Sequence, residues 1–196
     1  MTSRVTIVNL AIIRLGVPKI GAFSDKKKAA DIMDTLYDNA RDTILRKYPF
    51  KFAIQRKVLA KSATTPEYFF AFEYELPTDF VRLLNVEGHR ITADFNGINN
   101  DYKIEGRKIR TNQDTSINIL YIKNSVAEAF FDPDYVRVLA LQLALDAFTA
   151  LAGRGTSRTK LENELIVAVS EAKLNSSLEE LSDEAYSTDW EDSRVV

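Results

Sequence analysis

Asp132-Pro133-Asp134-Tyr135-Val136-Arg137-Val138-Leu139-Ala140-Leu141-Gln142-Leu143-Ala144 is the stretch on which the fold turns. Aspartate caps the start of a helix, proline fits its first position, and a second acid meets the positive end of the dipole. Tyr135, Val136, Val138, Leu139, Leu141, Leu143, Ala144 and Ala147 leave this helix apolar nearly all round, as far as Leu151. Such a helix buries more than one face, either in its own core or in an oligomer. Gly153-Arg154-Gly155 ends it. Partners must come from elsewhere in the chain, and both ends supply them. Ile7, Leu10, Ala11 and Leu15 mark a first helix, capped by Thr2 or Ser3 and stopped by Gly16 and Pro18. Ser24 reads as the cap of a second, whose stripe runs from Ala29 through Met33, Tyr37 and Ala40 to Leu45, ahead of Pro49. Thr159 with Glu162 makes a capping box for a fourth helix, through Leu161, Leu165, Ala168 and Ala172 to Leu181.

Between these helices the pattern changes to β-type alternation. Strands are predicted near Leu83–Glu87, His89–Ala93, Tyr102–Glu105, Arg107–Arg110 and Asn118–Ile122, with hairpin signals at Asn96-Gly97 and Glu105-Gly106. The expected architecture is α+β: an antiparallel bundle of two N-terminal and two C-terminal helices, a small antiparallel sheet lobe inserted between them, and an extended tail. The predicted boundaries are 1–60 with 124–181 for the bundle, 61–123 for the lobe and 182–196 for the tail.

Composition narrows the chemistry. The 196 residues carry 26 basic and 28 acidic side chains, a formal net charge of −2 that argues against a general nucleic-acid coat. With no cysteine, disulfides and thiolate chemistry are absent; one histidine, His89, leaves a single imidazole base. No metal-ligand spacing is present and no cofactor is expected. No apolar run reaches the roughly 20 residues of a bilayer span, and the start lacks a signal-peptide core, so the chain reads as soluble and intracellular.

Several clusters invite a functional reading beside a structural one. The window 41–61 holds seven basic residues and one acid, among them Arg41, Arg46, Lys47, Lys51, Arg56, Lys57 and Lys61. It could face phosphates, or an acidic tail from a neighbouring subunit. Asp132, Asp134, Glu162 and Glu164 could form an acid/base pair, although capping already explains the first three. Gly153-Arg154-Gly155-Thr156-Ser157 lacks the lysine of a phosphate loop and reads as punctuation. The last fifteen residues, 182–196, hold five acids and one base around Trp190, the only tryptophan. An aromatic in that setting is suited to anchoring the segment on a partner.

Four ordered stretches resemble the head-to-tail adaptors of short-tailed phages, the tail tubular protein A type. They are Asn9-Leu10-Ala11-x-x-Arg14-Leu15-Gly16-x-Pro18-x-Ile20; Tyr48-x-Phe50-x-Phe52-Ala53-x-x-Arg56-x-x-Leu59; Tyr74-x-Leu76-Pro77-x-Asp79-Phe80-Val81-Arg82-Leu83; and Tyr121-Ile122 leading to Phe131-Asp132-Pro133. Ser187-x-x-Trp190-x-x-x-Arg194 fits the same pattern, while Tyr48 stands where such proteins often carry tryptophan. The resemblance implies a non-enzymatic virion component, assembled in the host cytoplasm as a ring of about twelve copies closed by heterologous contacts. The ring would join the portal protein to the tail nozzle, near the tail fibres, and genome DNA would pass through its channel without sequence-specific binding. On this resemblance, Trp190 with Asp189, Glu191, Asp192 and Arg194 would dock on the portal. Tyr135, Leu139, Leu143, Arg56 and Lys57 would pack subunits together. The alternative is a tail-associated peptidoglycan hydrolase with a carboxylate pair such as Glu73 or Glu75 with Asp79.

Overall fold

The computed structural model describes residues 2–86, 89–90, 102–153 and 155–184; for 89–90 and 177–184 it describes the backbone. These residues form five α-helices and two small antiparallel sheets, a mixed helix-and-sheet class. They divide into two compact units, Met1–Ile44 with Glu128–Val196, and Leu45–Ala127.

The first unit is helical. Helix α1 (Arg4–Arg14) starts where the Ser3 hydroxyl accepts the Thr6 N–H at 3.2 Å. At its end Gly16 (φ 70°) takes the left-handed conformation that a side chain would resist. There the Val17 N–H donates to the Ile12 carbonyl and the Gly16 N–H to Ile13, closing the last turn. Helix α2 (Lys28–Lys47) begins four residues after the predicted cap. Ser24 does not cap it, because Asp25 turns the chain first: its carboxylate accepts the Gly21 N–H at 2.8 Å. The Gly21 N–H is the main reason the Asp25 carboxyl is held below its ordinary range.

Helix α3 (Pro133–Asp146) carries the predicted cap, with the Asp132 carboxylate accepting the Asp134 N–H at 2.7 Å. The single helix expected as far as Leu151 instead breaks at Ala147, and a separate turn, α4 (Phe148–Leu151), follows. The chain then returns to α1, where the Leu15 carbonyl accepts both the Gly153 N–H at 3.0 Å and the Thr156 hydroxyl at 3.2 Å. This satisfies a carbonyl that the end of α1 leaves without a helical partner. Helix α5 (Arg158–Glu184) continues past the predicted end at Leu181. Its cap is Ser157, whose hydroxyl accepts the Lys160 N–H; the expected Thr159–Glu162 box gives way to a Glu162–Arg158 pair at 2.9 Å. Helix α3 packs on both α1 and α5. Asp134 meets Asn175 while Arg137 meets Glu171, so α3 and α5 run antiparallel.

The second unit holds seven strands: β1 (Ile54–Leu59), β2 (Phe72–Glu75), β3 (Phe80–Val86), β4 (His89–Arg90), β5 (Tyr102–Glu105), β6 (Lys108–Thr111) and β7 (Ile117–Lys123). The one sheet expected is two: β1-β7-β3-β4 and β2-β6-β5. They share a core of Leu59, Tyr74, Leu76, Leu83, Val86, Ile109, Ile117, Ile119 and Tyr121. The 54–59 segment, assigned from the sequence to the helical domain, pairs along its whole length with β7, from Ile54 opposite Ile122 to Leu59 opposite Ile117. Glu105-Gly106 makes the predicted hairpin between β5 and β6. Gly106 (φ 55°) and Arg107 (φ 64°) are both left-handed there. Arg107 is held in place as its guanidinium donates to the Pro77 carbonyl at 2.6 Å and its own carbonyl accepts the Leu76 N–H. The Asn96-Gly97 signal, most of the predicted strand His89–Ala93, and the segment beyond Glu184 lie outside the described residues.

Candidate interaction surface

Strand β1 is an edge: among the described residues it pairs with β7 alone. Register and alternation set Arg56 opposite Leu120, Lys57 opposite Ile119 and Val58 opposite Asn118. Inward-pointing Ile117, Ile119 and Tyr121 are buried, which turns Asn118 and Leu120 to the other face of the sheet. Arg56, Lys57 and Val58 are exposed, and Val58 keeps 60% of its surface in solvent. With Asn85, Asn118, Ile119 and Leu120 they line an open depression of about 540 Å³. On the face that Asn118 and Leu120 share, Arg56 and Val58 stand beside them and Asn85 follows on β3, whereas Lys57 and Ile119 alternate to the other face.

The rest of the basic window is dispersed. Arg41 pairs with Asp38 and Asp42, and its charge is held more firmly than usual by the Asp42 hydrogen bond, against the pull of burial. Arg46 donates to the Val81 carbonyl at 3.0 Å, and Arg82 reaches back to the Arg46 carbonyl at 3.1 Å. Lys61 pairs with Asp114 and lies over the Phe72 ring. Three of the seven are thus spent on local structure, while Lys47, Lys51, Arg56 and Lys57 are exposed, the last two adjacent on β1.

Tyr135, Leu139 and Leu143 are fully buried within their own unit. The all-round apolar helix finds its cover in α1 and α5, so these three side chains present nothing to a neighbouring subunit. Tyr37 and Tyr135 are also buried, and burial raises both phenols, so they stay neutral. Arg4 lies over the Phe23 and Tyr37 rings and pairs with Asp34 at 3.1 Å, which makes this polar group structural.

The candidate carboxylates each have a structural partner or stand at the surface. Glu73 is buried, ion-paired with Lys108, near Arg110 at 3.8 Å, and accepts the Thr64 hydroxyl. The Lys108 hydrogen bond above all, then that from Thr64, holds its carboxyl below the ordinary range. A general acid needs the opposite shift. Asp79 accepts the Tyr121 hydroxyl at 3.1 Å and the Ser125 hydroxyl at 2.7 Å, and Glu75 stands exposed on β2. Burial first, then the charge of Asp79, pushes the Tyr121 phenol up to about 12. Asp132 caps α3, Asp134 accepts from Asn175, Glu162 pairs with Arg158, and Glu164 reaches Lys160 at 4.0 Å. Among the described residues no three His, Asp or Glu side chains cluster to hold a metal ion, and no helix is long and apolar enough to cross a membrane. His89 stands opposite Val86 in β4; Trp190, Asp189, Glu191, Asp192 and Arg194 lie outside the described residues.

The lowered pKa of Glu73 has a consequence for stability. A carboxylate depressed by folding stabilises the protein above its ordinary pKa of 4.5 and loses that contribution as pH falls from there through the lowered value. Glu73→Gln should lower stability at pH 7 and flatten the loss across that acid window. Urea unfolding of both proteins across it checks this, and equal acid slopes would contradict it.

A second exposed feature went unread in the sequence. Tyr68 and Phe69 keep 80% and 73% of their surfaces exposed, on a loop where Phe69 adopts φ 71°. Left-handed backbone at a bulky residue costs about 1–2 kcal/mol. Lys103 over the Phe69 ring and the edge-on Phe70 ring help to hold it. No protein-family model matches the chain, and no curated protein sequence matches it.

Proposed function

We propose that this protein is a structural head-to-tail adaptor of a phage virion, a ring of about twelve subunits joining the portal to the tail nozzle around the DNA channel. The observation that carries the reading is how the resemblance motifs fall on contacts that build the fold. In the first, the Asn9 side chain bonds both the N–H and the carbonyl of Ile20, each at 2.9 Å, just past the Gly16 stop. In the second, Phe50 and Phe52 lie 6.1 Å apart and lead into edge strand β1 with Arg56. In the third, Tyr74 is buried, and Phe80 stacks at 6.0 Å on Tyr121, which also bonds Asp79. In the fourth, Phe131 meets Tyr135 edge-on at 4.9 Å beside the Asp132 cap.

On this reading, helices from both chain ends form an antiparallel bundle and the sheet unit is its inserted lobe. The function is geometric: fix register, surround the DNA exit and transmit the signal to eject. The net charge of −2 suits a channel along which DNA slides, since a strongly basic lumen would retain it. The acidic segment around Trp190 orders on the portal, with the indole as its anchor. Subunit contacts are made by residues other than Tyr135, Leu139 and Leu143.

Removal of residues 185–196 tests the docking step. The shortened protein should keep its circular-dichroism melt and lose capture by the portal protein of the same phage. Full portal capture by a folded truncation would remove the tail from the docking role.

A further inference from the structure

We infer that the depression beside β1 is a receptor for residues 185–196 of a second copy of this chain, with Trp190 seated against its aliphatic wall. The depression sets the Arg56 guanidinium beside the apolar surfaces of Val58 and Leu120 and the side chains of Asn85 and Asn118, with Lys57 at the strand edge on the other side of the backbone. Its volume of about 540 Å³ lies within the span of pockets that seat drug-sized groups, and so admits an indole with flanking backbone.

The sequence Asp189-Trp190-Glu191-Asp192 is the complement of those walls, with three carboxylates around one large aromatic. An extended peptide beside an edge strand also satisfies main-chain groups that β1 turns away from β7. A bare phosphate backbone would use Arg56 and Lys57 and leave the exposed Val58 face without a partner, so the peptide is favoured over nucleic acid. The twelve residues from 185 to 196 reach up to ~40 Å when extended. Delivery by a second copy rests on the ring reading; recognition of the tail chemistry does not. In an assembled ring, this contact would hold the tail until a portal competes for it.

Trp190 is the only tryptophan, so intrinsic fluorescence of the full-length protein reports on this segment alone. The seated indole should emit at short wavelength and resist acrylamide. Arg56→Glu with Lys57→Glu should shift emission to the red and raise quenching several-fold. Arg56→Gln with Lys57→Gln should move both readouts the same way by less, which separates loss of charge from any damage to the strand. High salt should reproduce part of the effect by screening.

A mixing experiment then decides the source. A Trp190→Phe copy keeps the receptor and is dark; the charge-reversed copy keeps the indole and lacks the receptor. Mixed together, they should restore the short-wavelength emission if the tail is received in trans. An unmoved spectrum in the charge-reversed protein overturns the receptor. A spectrum that moves on charge reversal but is not restored on mixing overturns delivery by a second copy. Binding of a short DNA duplex that depends on Arg56 and Lys57, with Trp190 unmoved, assigns the surface to phosphate and also overturns the proposal. Native mass of the same samples separates these results from failure of the ring itself: a monomer whose Trp190 responds to charge reversal loses the ring and keeps the receptor.

Discussion

Leu139→Ala lowers the stability of the helical unit by about 2–5 kcal/mol, the usual cost of emptying a leucine site in a close-packed core. Leu139 is fully buried on α3, as are its neighbours Tyr135, Val138 and Leu143. The cavity stays open because α1 and α5 hold α3 from two sides and leave little freedom to collapse. Because the cover comes from the same chain, the loss should be independent of protein concentration. Denaturant titrations at two concentrations about tenfold apart check this, since a free-energy loss that grows on dilution is the mark of a subunit contact. Such growth would return Leu139 to an interface.

Tyr74→Ala should cost about 3–5 kcal/mol in the sheet unit, the range for removing a large buried aromatic. Tyr74 is fully buried in the core shared by both sheets, and its hydroxyl donates within 2.8 Å of the Gln113 carbonyl and 2.7 Å of the Thr115 carbonyl. Burial raises this phenol, so it remains a donor in alkaline solution. Tyr74→Phe keeps the ring and strands the two carbonyls, at a cost of about 1–3 kcal/mol. Hydrogen exchange at β6 and β7 separates the two effects, and equal losses in both variants would show that the ring contributes nothing beyond its hydroxyl.

The clearest parts of the fold in the sequence were those set by local physics. Gly16 and Asp132 define helix ends through one backbone conformation and one side-chain cap, and both stand where they were predicted. Helix starts with two competing acceptors were harder. At one, the chain from Gly21 closes a turn on the Asp25 carboxylate and the helix starts only at Lys28; at the other, Ser157, two residues before Thr159, takes the capping role. Strand β2 escaped notice because Glu73 interrupts its apolar pattern, and the carboxylate is buried with cations supplied by Lys108 and Arg110, residues more than thirty positions away.

The interaction surface was legible in part. Arg56 and Lys57 stood out as charge, while Asn85, Asn118 and Leu120 join them only through strand pairing across the β1-β7-β3 sheet. The basic window misled by its density, since Arg41, Arg46 and Lys61 each serve a nearby acid or carbonyl.

Native mass measurement of the full-length protein, alone and mixed with the portal protein of the same phage, tests the adaptor reading most directly. A closed assembly of fixed subunit number, formed alone or on the portal, is the predicted result. A protein that stays monomeric at high concentration and leaves the portal unoccupied would contradict it.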